Sequence, residues 1–138
     1  MDEILTNMIR GQTKRPQEYS PLVLAYVGDA VYEAYVRTQL VKGGNIPVHH
    51  LHRMSTNYVS AKAQSDIIEA LLDSLDEEEI RVFKRGRNAK SATTAKHATM
   101  IDYRMATGFE ALMGYLYLKE DYSRIVELVR KGIPEENL

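Results

Sequence analysis

The sequence predicts an all-α protein of one domain, and three observations carry that expectation. Apolar residues recur at spacings of three and four along most of the 138 residues. No segment shows the strict alternation of a half-buried strand, and helix start and stop signals bracket the apolar runs. A chain of this length is one domain's worth and buries roughly 68–70% of the surface it exposes when unfolded, so an ordinary core is enough. There is no cysteine, which excludes disulfide frameworks, thiol catalysis and Cys-based zinc sites together. With 44% hydrophobic and 27% charged residues, the composition is that of a folded, soluble chain.

Each element has a local cause. Ser20-Pro21 reads as an N-cap followed by proline at the first helical position. The helix it opens, Leu22 to Val41, is apolar on almost every face and is stopped by Gly43-Gly44; such a helix is expected to be buried and central. Pro47 opens a second helical region, where Leu51, Met54, Val59, Ile67, Ile68, Leu71 and Leu72 keep mostly helical spacing, with a break expected near Ser55–Asn57. Asp76 with Glu79 has the form of a capping box and starts a short acidic-to-basic helix through Arg85. Gly86 to Thr99 is rich in Gly, Asn, Ser and Thr and reads as a loop. A strongly apolar helix follows from about Asp102 to Leu118, and a last amphipathic one from about Tyr122 to Lys131.

The formal charge of −1 argues at first against a nucleic-acid partner. Its distribution argues the other way. From Arg81 to Met100 stand six basic residues (Arg81, Lys84, Arg85, Arg87, Lys90, Lys96) and no acid, leaving 12 basic against 19 acidic residues elsewhere. Within this stretch Lys84, Arg85, Arg87, Asn88, Lys90, Ser91 and Lys96 combine charge with amide and hydroxyl donors. That set suits phosphate oxygens better than base edges, and its binding should weaken steeply with salt. A solvated basic surface is the bland alternative.

Three acids stand inside apolar helices. Asp29 follows Gly28, Glu33 lies one turn further on the same face, and Glu110 precedes Gly114 by four residues. Charged side chains are rarely buried unless paired or bound to a metal, and each of these alone could point to solvent or to an arginine. Glycine in a helix interior costs about 1 kcal/mol relative to alanine, so Gly28 and Gly114 suggest close helix–helix approach. If those helices cross, Asp29 and Glu110 meet, and a hard divalent cation such as Mg²⁺ would relieve their repulsion. His49, His50 and His52 fit no common zinc spacing and read as a solvated helix start. The nine tyrosines, Tyr26, Tyr32 and Tyr115 among them, read first as packing.

Leu24-Ala25-Tyr26-Val27-Gly28-Asp29-Ala30-Val31 resembles the signature helix of the ribonuclease III family, and Phe109-Glu110-Ala111-Leu112-Met113-Gly114 with Tyr115 to Leu118 resembles its second catalytic helix. Val59 to Gln64 and Lys84 to Ser91 are similar to its short bacterial branch, Mini-ribonuclease III. The likeness covers roughly residues 20 to 118. It implies a ribonuclease III endonuclease-domain-like helical bundle spanning 1–138, with no separate double-stranded-RNA-binding domain, the chain ending about twenty residues after the second motif. It further implies a homodimer that cleaves double-stranded RNA with Mg²⁺, or Mn²⁺ in its place. Asp29 and Glu110 would be the catalytic and metal-holding residues, each subunit cutting one strand to leave 5′-phosphate ends and a short 3′ overhang. The branch is associated with 23S ribosomal RNA maturation in the cytoplasm; no signal peptide or membrane span is expected. Two acids of the family's pattern are replaced, by Ala25 and Thr107. That keeps a second reading open, a catalytically inactive, ribosome-associated RNA-binding domain of the same fold, and beside it a helical protein–protein scaffold.

Overall fold

The structure, a computed structural model, describes residues 2–90 and 99–133. Among the described residues there are seven α-helices and no strand: α1 (Asp2–Ile9), α2 (Pro21–Leu40), α3 (Val48–Val59), α4 (Ala61–Leu71), α5 (Glu77–Asn88), α6 (Met100–Leu118) and α7 (Tyr122–Gly132). The all-α expectation holds. No helix among them is long and apolar enough to cross a membrane.

The start signals work as their chemistry predicts. Ser20 Oγ accepts from the Val23 amide, and Asp76 and Glu79 close a full capping box with bonds of 2.8 and 2.9 Å. The break in the second helical region falls at Ser60, not near Ser55–Asn57. Ser55 and Thr56 turn their hydroxyls back onto the His52 carbonyl and stay helical, whereas Ser60 adopts an extended backbone and caps α4 through the Ala63 amide. Val41 lies beyond α2, in a 3₁₀ turn that ends at Gly44 with φ +100°.

The central buried helix is α6, not α2. Every residue of α6 from Ala106 to Leu116 is buried except Glu110, which is half-buried. In α2 one stripe is buried (Leu24, Ala25, Gly28, Tyr32, Val36 and Leu40), at the spacing of a single helix face. The opposite face is open: Leu22 and Val23 are exposed, and Tyr26 is 82% exposed, so it is not a packing residue of this chain. Tyr32 does pack, edge-on to Phe109 at 5.0 Å, with its hydroxyl donating to the Tyr58 carbonyl at 2.6 Å.

Two glycines let α2 and α6 touch backbone to backbone. A Cβ on Gly28 would overlap the Glu110 carbonyl oxygen and stand 2.7 Å from the Gly114 nitrogen; one on Gly114 would overlap the Leu24 carbonyl oxygen. The device recurs between α5 and α6, where a Cβ on Gly86 would lie 2.8 Å from Ala111 Cβ and 2.9 Å from Gly108 Cα. Gly86 therefore serves close packing and does not end α5, which continues to Asn88. On the far side, Arg124 of α7 clamps buried Glu79 with two bonds of 2.8 Å and the Ser74 carbonyl with one of 2.7 Å. Burial pushes the Glu79 carboxyl up, but the Arg124 and Asp76 hydrogen bonds outweigh it and hold the group below its ordinary range.

The crossing carries a direct prediction. Gly28→Ala sets a methyl against backbone that cannot rotate away, so it should cost about 3 kcal/mol, read as a lower urea midpoint of unfolding.

Candidate active site

Asp29 and Glu110 come together because the crossing brings them together. Asp29 follows the glycine that touches Glu110's own carbonyl, and Glu110 stands one turn before the second glycine of the contact. The Asp29 side chain is exposed and Glu110 is half-buried, so Asp29 does not sit in a dry core as an all-round apolar helix would have it. Burial pushes the Glu110 carboxyl up, and the Asp29 carboxylate beside it, close enough to share a hydrogen bond, adds to the effect; together they take it to about 8. A hydrogen bond from Gln64 and the charge of Glu33 act in opposite, smaller senses. Glu33 itself pairs with Arg37 at 3.2 Å, one turn along α2.

The arrangement suits a hard cation. It offers carboxylate oxygens from two helices, one open to solvent, and the repulsion that raises Glu110 is what a divalent ion would relieve. Among the described residues no group of three or more His, Asp or Glu is gathered closely enough for a metal cluster, so this is a two-carboxylate site. His49, His50 and His52 are exposed at the start of α3, as expected of a solvated helix end.

The basic residues stand elsewhere than the loop reading put them. Lys84, Arg85, Arg87 and Asn88 occupy the last turns of α5, and Lys90 lies just past its end. Ser91 and Lys96 lie outside the described residues. A helix C-terminus favours cations, which is why the basic run could extend the helix where Gly and Asn suggested a loop. Arg85 is held by the Gln17 and Tyr19 carbonyls, at 3.1 and 3.4 Å, and Arg87 lies over the Phe83 ring. Lys84 and Lys90 are exposed. Through the Gly86 contact, this cationic end sits against Thr107 to Ala111, the turn that carries Glu110.

A model of the ribonuclease III domain matches residues 22–121. This chain belongs to the ribonuclease III family. Relatives named Mini-ribonuclease 3 place it in that short branch. One from Enterococcus faecalis is 53% identical over 126 residues, 88% of this chain and 96% of its own. One from Brevibacillus brevis is 50% identical over 120 residues, 87% and 90% of the two chains. A crystal structure of a protein from Fusobacterium nucleatum has the same fold at a TM-score of 0.80 and 31% identity, covering 88% of this chain and 98% of that one. The family makes the chain a ribonuclease.

In this ribonuclease III domain the two replaced acids are visibly absent from the site. Ala25 is buried in the α2–α6 contact, and the Thr107 hydroxyl donates to the Tyr103 carbonyl at 3.0 Å. Sequence reasoning missed Gln64, the buried amide against Glu110. Its signal is a long polar side chain among the buried residues of α4, beside Ser65, Ile67, Ile68 and Leu71. Also missed was a second stretch without acids, Ala34 to Ser65, with Arg37, Lys42, Arg53 and Lys62.

The raised Glu110 has a sign-definite consequence. Its folded pKa, about 8, exceeds the ordinary 4.5, so the metal-free folded chain holds an extra proton between those values and loses stability as pH rises through that window. Glu110→Gln should therefore be more stable than the unsubstituted protein above pH 8 and less dependent on pH below it. Melting temperatures without metal from about pH 5 to about pH 9 test this.

Proposed function

We propose that this chain is a divalent-metal-dependent endoribonuclease that hydrolyses double-stranded RNA as a homodimer. The observation that supports the reading best is the convergence of exposed Asp29 and half-buried Glu110 at the glycine crossing of α2 and α6. Two carboxylates carry the charge that one Mg²⁺ or Mn²⁺ neutralises, and all their donors are hard oxygens. When bound, such an ion polarises the scissile phosphate and lowers the pKa of a water that attacks it, leaving 5′-phosphate ends.

The chain's own residues do the rest. Asp29 would hold the cation through its exposed carboxylate and Glu110 through its half-buried one. Exposed Lys84 and Lys90 take phosphates at the edge of the site. Arg85, held by two backbone carbonyls, presents its charge from a fixed place, and Arg87, Asn88, Ser91 and Lys96 extend the same basic segment. Phosphate contacts of this kind suit an A-form duplex, whose narrow major groove side chains cannot read. The homodimer is supported by the open apolar face of α2, with Val23 and Tyr26. A two-fold assembly of that kind matches the symmetry of a duplex. The likeness to the Mini-ribonuclease branch favours a 23S ribosomal RNA precursor in the cytoplasm as the substrate.

The test is cleavage. Purified protein with a double-stranded RNA should yield discrete fragments with Mg²⁺ and none with chelator. Asp29→Asn and Glu110→Gln should each abolish cleavage while the RNA is still bound. Fragments from either variant, or none from the unsubstituted protein, would replace this reading with the silent RNA-binding domain or another nuclease site.

A further inference from the structure

Gln64 stands in the first turn of α4 and is 3% exposed. Its amide has one orientation that fits. Nε2 donates to the Val59 carbonyl at 2.9 Å and, through a longer bond of 3.4 Å, to Oε2 of Glu110. A flipped amide would set its oxygen against the Val59 carbonyl oxygen. The fitting orientation leaves Oε1 buried with no hydrogen-bond partner among the described residues, and a lone buried acceptor is costly. Closing the junction between α3 and α4 does not require that cost. Ser60 already closes it, with its amide on the Thr56 carbonyl at 3.3 Å and its hydroxyl on the Ala63 amide at 3.2 Å.

We infer that Gln64 is a positioning residue for Glu110: its amide nitrogen engages Oε2 and leaves Oε1 of the same carboxylate to turn toward Asp29 and the cation between them. The inference rests on the reading of Asp29 and Glu110 as cation-holding residues. An amide suits the task for two reasons. It donates to the ionised carboxylate, favouring the form that binds a cation, and it adds no charge where two carboxylates already match one divalent ion. The 3.4 Å separation is long for a hydrogen bond, and active-site bonds of this kind often tighten when the working complex forms.

The test uses Mn²⁺ as the probe, titrated calorimetrically into the full chain without RNA, so that its readout is not cleavage. Gln64→Met keeps the volume and removes the amide; Gln64→Asn keeps an amide too short to reach both partners. Both should bind Mn²⁺ roughly tenfold more weakly than the unsubstituted protein. In cleavage assays at fixed Mg²⁺ both should lose kcat with little change in KM for RNA. Ser60→Ala, which loosens the same junction without touching Glu110, should melt at a lower temperature and bind Mn²⁺ unchanged. If Gln64→Met and Gln64→Asn keep full Mn²⁺ affinity while Glu110→Gln loses it, the positioning role is wrong and the cation site stands. An equal loss in Ser60→Ala would assign the effect to the junction and overturn the inference. If the unsubstituted protein binds no Mn²⁺, or Glu110→Gln binds it as tightly, both readings fall together.

Discussion

The backbone contact of α2 with α6 at Gly28 and Gly114 is the constraint on which the rest of the molecule depends. Each glycine costs its helix about 1 kcal/mol relative to alanine, and what that secures is an approach no side chain would permit. The contact fixes two things at once. It seats the buried stripe of α2 on the central helix, and it sets the residue after one glycine against the residue one turn before the other. The candidate site is thus a by-product of a backbone-to-backbone packing contact.

Electrostatics follow from the same geometry. Asp29 stays open to solvent while Glu110 is drawn into the helix layer, and burial together with the neighbouring Asp29 carboxylate raises the Glu110 carboxyl. Elsewhere the chain resolves a buried carboxylate by supplying a partner: Glu79 has Arg124 and lies below its ordinary range. Glu110 is faced instead by the Asp29 carboxylate and, through a longer bond, by the amide of Gln64. Glu79 is satisfied within the chain, for stability; under the proposed function half-buried Glu110 is satisfied by a cation, where a consistent fold departs from its own rules. A second glycine contact, Gly86 against Gly108 and Ala111, delivers the basic end of α5 to the same turn of α6.

Much of this was legible in the sequence, for identifiable reasons. Caps at Ser20 and Asp76 are local chemistry and appear where expected. Glycines in apolar helices next to acids marked the crossing, because interior glycine has few other uses there. What the sequence hid was partition. The pattern of α2 is apolar all round, and only the structure separates the face that packs on α6 from the face that carries Tyr26 and Asp29 outward. In the sequence Gly86 reads as a breaker because glycine signals both turns and close approach, and the two look alike until the neighbour on α6 is seen. Gln64 was hidden by its type: an amide carries no charge to flag it, and its role depends on a residue 46 positions away.

The sharpest single measurement is the titration of the Glu110 side-chain carboxyl by carbon-detected NMR, without metal and with saturating Mg²⁺. If Asp29 and Glu110 form a cation site held by the glycine crossing, the carboxyl should titrate near 8 without metal and fall below its ordinary 4.5 when Mg²⁺ is present. A carboxyl that titrates near 4.5 in both conditions would contradict it.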